Sequence, residues 1–194
     1  MTIKQLNASY LAPDDRILFR FNTIENTEFR FWLTRRVTLF ILAATQHLIT
    51  KSLEQTHSPQ AAKAIAEFGK ASIQTDIGSK DGLTVEAYQP AENYPLGADP
   101  LLVMDAKCTL EKQGLEEGLS LDLVLPGGAN INLKLSNPVL QAMCILLNQM
   151  REHAVWGDVP QVLETAADND LAADAADAAD LIENPSEVNK PSVH

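Results

Sequence analysis

The stretch RILFRFNTIENTEFRFWLTRR, residues 16–36, decides how the rest of the chain is read. Ile17, Phe19 and Phe21 alternate with Arg16, Leu18, Arg20 and Asn22. After the polar segment NTIENT, Phe29, Phe31 and Leu33 alternate with Arg30 and Trp32. Successive strand side chains point to opposite faces, so two period-2 runs around a polar turn predict an antiparallel hairpin with one phenylalanine-rich face. The turn, Asn22 to Thr27, is longer than the two-residue ideal and leaves several registers open. The opposite face carries Arg16, Arg20, Arg30 and Trp32.

Going forward, Thr34 suits a helix N-cap. Val37, Phe40, Ile41, Ala44, Leu48 and Ile49 keep helical spacing, and Leu39 and Leu42 widen the apolar surface, so this helix is expected to be buried along much of its first half. Ser58 and Pro59 start a second helix, reaching about Ile73, with Ala62, Ile65, Phe68 or Gly69, and Ile73 facing inward. A short strand is expected from Leu83 to Tyr88, then an irregular crossing, QPAENYPLGADP. Residues 101–111, 119–125 and 131–135 alternate apolar and polar around turns at Gly114 and PGG, which completes a meander with one apolar face. A last helix opens at SNP, with Asn137 as cap and Pro138 at its first position. It carries Val139, Leu140, Met143, Leu146, Leu147 and Met150 on one stripe. Residues 1–15 read as a lead-in before the hairpin. The fold class is α+β: an N-terminal β-hairpin and two helices, then a four-stranded antiparallel meander and a C-terminal helix, with an acidic disordered tail.

Charge divides the 194 residues at the same boundary. Residues 158–194 hold nine acidic groups and one lysine; residues 1–157 hold seventeen acidic against fourteen basic. The expected organisation is one domain over 1–157 and an Ala/Asp-rich tail over 158–194, disordered or transiently helical. An acidic whole disfavours non-specific binding to nucleic acid or anionic membrane. The two cysteines, Cys108 and Cys144, lack metal or disulfide-framework spacing. With no apolar leader and no run of about 20 apolar residues, a cytoplasmic protein is expected, with no membrane contact.

The sequence contains no GxSxG, phosphate-loop, HExxH or GxGxxG motif, and its histidines have no metal spacing. No catalytic residue, cofactor or metal is assigned, and the chain is read as non-enzymatic. Asp105 and Asp122 share a polar strand face and read as solvated carboxylates. The residues that point to binding are Arg16, Arg20, Arg30, Trp32, Arg35 and Arg36. Hairpin pairing sets Arg20 near Arg30, and like charges side by side call for an anion between them. Arginine beside an exposed tryptophan suits base stacking, an acidic peptide or a phosphate. A structural reading stands beside this one: Glu25 and Glu28 pair with the arginines, and Trp32 lies under a loop. Thr34, Arg35 and Arg36 sit near a helix N-terminus and form a further anion-site candidate; first-turn arginines oppose the helix dipole, so their presence points to a partner.

The strings DDRILFRFNT and EFRFWLTRR, with the later YPLGADPLLV, resemble an uncharacterised family of proteobacterial proteins with no assigned activity. The resemblance implies a bacterial source and a domain covering most of residues 1–157, and nothing about chemistry. The function expected is a protein-interaction module, an adaptor or scaffold, whose partner is another protein or a second copy of the chain. The alternative is a single-stranded nucleic-acid binder with its acidic tail as an internal competitor.

Overall fold

The computed structural model describes residues 1–78, 87–113, 116–161 and 170–172. The hairpin forms as its alternation requires, from β2 (Arg16–Thr23) and β3 (Glu28–Thr34). The loop between them sets Asn22 opposite Glu28, Arg20 opposite Arg30 and Phe19 opposite Phe31. Asn26 takes the left-handed conformation in that loop, which asparagine tolerates better than most residues. The expected lead-in is instead a strand, β1 (Ile3–Leu11), antiparallel to β2. It places Leu6, Ala8 and Tyr10 opposite Phe21, Phe19 and Ile17. Small and polar residues between them weaken a pattern that was nevertheless alternating.

α1 (Arg35–Glu54) follows β3 directly and is capped by Thr34, whose hydroxyl accepts the Val37 N–H. Val37, Ile41, Leu42, Ala44 and Leu48 are all buried, because the helix packs against β3, β5 and α3 at once. α2 (Pro59–Gly78) packs on α1. Its expected inward face is only partly realised: Ala62 is buried, but Ile65 and Phe68 are exposed. A cleft separates that face from α1 and α3.

The expected strand over residues 101–111 divides in two. β4 (Leu101–Leu102) pairs parallel with β3, and β5 (Asp105–Gln113) belongs to a second sheet. Between them the Val103 N–H donates to the Trp32 carbonyl and the Met104 N–H to the Val124 carbonyl, so the chain changes sheet there. The alternation inverts at that link: Val103 is buried and Met104 exposed. β6 (Glu116–Val124) and β7 (Asn130–Leu135) complete the meander. Its fourth strand is β8 (Asp170–Ala172), from the expected tail, antiparallel to β5. Of the expected Leu83–Tyr88 strand, residues 83–86 lie outside the described residues, and Ala87 and Tyr88 are irregular. Apart from residues 158–161 and β8, the expected tail also lies outside them, as does the turn at Gly114. α3 (Asn137–His153) begins one residue earlier than expected, with Ser136 at the cap position and Asn137 and Pro138 in the first turn.

Both sheets turn their apolar faces to one core. Phe21, Phe31 and Leu33 from the first sheet meet Cys108, Leu121 and Leu133 from the second around α1 and α3. Phe21 lies at its aromatic centre, stacked on Phe29 and Phe31.

Beyond α3, Trp156 is buried and fastens the domain's two ends. Its indole N–H donates to Asp15 Oδ1 at 2.6 Å, its ring meets Tyr10 edge-on, and its carbonyl accepts from Arg35. Hydrogen bonds from Trp156 and Tyr10, with the Arg35 charge nearby, hold the Asp15 carboxyl below its ordinary range. The contribution of this group is therefore complete above about pH 4 and is lost as pH falls through the lowered value. Asp15→Asn is expected to flatten the acid limb of the stability curve below about pH 4, read from thermal unfolding between about pH 6 and about pH 2. An unchanged acid limb would show that Asp15 is not one of the groups that set it.

Candidate functional site

The outer face of the first sheet carries the residues that suggested binding. Its rows follow from the register: Gln5, Asn22 and Glu28; Asn7, Arg20 and Arg30; Ser9, Leu18, Trp32 and Leu102; Leu11, Arg16 and Thr34.

The crossing segment covers the end nearest the hairpin turn. Glu28 is fully buried. One of its carboxylate oxygens accepts from Arg30 Nε at 2.7 Å, and the other from the Ala91 N–H at 2.9 Å. The remaining Arg30 nitrogens donate to the Ala98 carbonyl and the Tyr94 hydroxyl, and its guanidinium lies 4.5 Å from the Tyr94 ring centroid. The hydrogen bond to Glu28, and then its charge, raise the Arg30 pKa. Asn22 donates to the Gln89 carbonyl and to Gln5. Tyr88 lies under the Arg20 guanidinium, which also bonds Asn7. Burial, then the Glu28 charge, push the Tyr88 hydroxyl above its ordinary range. Each arginine of the facing pair is thus held by its own tyrosine, a cation–π arrangement that stabilises both without an external anion. Of the two glutamates expected to pair with arginines, Glu28 does so. Glu25 is held by Thr23 instead.

Arg35 and Arg36 find the acceptors that their helix position demands within the chain. Arg35 donates to the Trp156 carbonyl; Arg36 donates to the Met104 carbonyl and lies 3.6 Å from Asp105. Asp122 accepts from Asn132 instead, so the two strand carboxylates serve different partners.

At the far end of the face, Trp32 is half-buried, flanked by Leu18 and Leu102 across the strands, and its indole N–H has no partner among the described residues. Arg16, one row further on, likewise makes no ion pair or side-chain hydrogen bond among them. No protein-family model, curated protein or solved structure matches the chain.

The second opening lies on the other side of the molecule and was not legible in the sequence. It is a cleft of about 510 Å³ between α1, α2 and α3, with Leu110 and Leu119 of the second sheet at its floor. None of the residues from Gln89 to Pro100 lines it. Its signal, apolar α2 residues that no described segment covers, needs the packing to be known. Cys108, on the neighbouring core face, is inert: burial pushes its thiol up to about 12. Among the described residues, no helix is long and apolar enough to cross a membrane, and no group of His, Cys, Asp or Glu could hold a metal ion.

Proposed function

We propose that this chain is a non-catalytic protein-interaction module of the cytoplasm, and that its contact surface is the outer face of the first sheet around Trp32. One observation carries the reading: the apolar row Leu18–Trp32–Leu102 runs across three strands to β4, the edge strand of its sheet among the described residues, with Arg16, which makes no ion pair or side-chain hydrogen bond among them, beside it. Tryptophan and arginine dominate interface hot spots because one residue supplies a large apolar area together with a polar handle. The edge of β4 adds backbone donors and acceptors that a partner strand satisfies. Arg16 favours a partner with an acidic group opposite it. The nucleic-acid alternative has less support, since Tyr88 and Tyr94 already stack on arginines and are not free for bases.

The test is capture from the lysate of the host, with and without nuclease, using the intact chain and an Arg16→Glu, Trp32→Ala variant. One enriched protein that survives nuclease and falls at least about tenfold in the variant supports the reading. If the enriched species is the chain itself, sedimentation of both forms identifies a homodimer. Capture that depends on nucleic acid reverses the ranking, and capture unaffected by the variant removes this face.

A further inference from the structure

We infer that two copies of this chain associate through β1, edge to edge and antiparallel about a twofold axis at Ala8, so that the first sheet of each copy continues into the other. Among the described residues two edges flank each sheet, β1 and β4 in the first, β7 and β8 in the second. An open edge is a template for further pairing, and proteins that stay single shorten it or place lysine on it. β4 and β8 are two and three residues long. β7 carries the exposed Lys134. β1 has neither protection. It is nine residues long, and from Gln5 to Leu11 it holds no charge and no proline. Its bulge and its lysine are confined to the first residues, Ile3 to Gln5. Among the described residues, no backbone group outside β2 bonds to residues 3–11. The outward amides and carbonyls of β1 are those that a further strand satisfies.

The strand's own sequence names the occupant. Paired with its copy about Ala8, it sets Leu6 opposite Tyr10 and Asn7 opposite Ser9, with Ala8 on the axis and Gln5 opposite Leu11 at the ends. Leu6, Ala8 and Tyr10 pack towards the core, and Asn7 and Ser9 lie on the outer face. An aliphatic side chain thus meets a ring on the core side, and an amide meets a hydroxyl outside. The smallest side chain of the three core-facing ones stands where two identical residues approach to about 5 Å. A shift of one residue pairs Leu6 with Ser9 and mixes the two faces. The charges fit the same register. Exposed Lys4 comes opposite the partner's Ala12, two residues from the partner's Asp14, which is exposed too. A twofold contact repeats that attraction at its other end.

The test is sedimentation of the full chain across the micromolar range, where a concentration-dependent dimer is expected. The double variant Asn7→Asp, Ser9→Asp sets carboxylates opposite each other twice and is expected to weaken the dimer at least about tenfold. An aspartate at the Asn7 position still accepts from Arg20, so the fold is kept, which an unchanged far-ultraviolet spectrum checks. Ala8→Cys is expected to link two copies on oxidation, because residues paired at the axis lie within disulfide reach. Leu11→Cys, far from its own copy in this register, and the unaltered chain with Cys108 and Cys144 are expected to stay unlinked. If the aspartate variant unfolds, the Ala8→Cys link decides. The inference is overturned if the chain sediments as a monomer, if the folded aspartate variant dimerises as before, or if Ala8→Cys does not link. The Arg16→Glu, Trp32→Ala variant is expected to stay dimeric. A monomer there would move the contact to the Trp32 face and overturn the β1 pairing, so the two proposals fail separately.

Discussion

Replacing Trp156 with alanine is expected to destabilise the domain by about 4 kcal/mol, the usual range for removing a large buried aromatic side chain. The ring is 3% exposed and packs edge-on against Tyr10, so truncation leaves a cavity where the end of α3 meets β1. The indole hydrogen bond to Asp15 is lost as well, and with it the link between positions 141 residues apart. Trp156→Phe separates the two parts. It keeps most of the apolar contact and loses the N–H, and is expected to cost about 1 kcal/mol, because the exposed Asp15 carboxylate regains water. Urea unfolding of the three proteins measures both steps. A loss below about 1 kcal/mol for the alanine variant would mean that the core ends with α3.

Glu28→Ala is expected to cost about 3 kcal/mol, and Arg30→Ala a similar amount. Each single change breaks one side of a pair in which the Glu28 side chain is fully buried and the Arg30 side chain is 23% exposed. Removing Glu28 strands the Ala91 N–H; removing Arg30 leaves a buried carboxylate without its counter-charge. Most of the loss comes from the orphaned partner and not from attraction within the pair, which desolvation largely offsets. The double variant is therefore expected to lose clearly less than the sum of the singles, a coupling that a double-mutant cycle in urea reads directly. Strict additivity would show the two groups to be independent. Limited proteolysis gives a second reading, since Glu28→Ala removes an anchor of the crossing segment and should expose residues 87–100 to cleavage.

How far the site was legible depended on the residue. Hairpin alternation put Arg20 and Arg30 on one face and left their register open; the observed pairing sets them opposite each other. Nothing local to either arginine indicated that Tyr88 and Tyr94, about sixty residues on, would lie against them. Arg35 and Arg36 were expected to meet a partner's anion, because a cation in a first helical turn opposes the dipole. The acceptors proved to be the carbonyls of Trp156 and Met104. Ile65, with Phe68 or Gly69, kept helical spacing and was expected inside; Ile65 and Phe68 are exposed. Their exposure follows from where α2 rests, which its own periodicity does not encode.

By itself the sequence determined the hairpin, the start of α1, the division of β2, β3, β5, β6 and β7 into an apolar and a polar face, and the α+β class. These are consequences of short-range geometry: the strand and helix periods and the preferences of cap and turn residues act within one element. Tertiary structure alone decided that β1 joins the hairpin, that residues 101–111 serve two sheets, and that β8 closes the edge of β5. It also decided which arginines are neutralised internally and which opening stays apolar. Each of these depends on contacts between segments far apart in the chain, where the energy lies in pairing and packing that leave no periodic trace in the sequence.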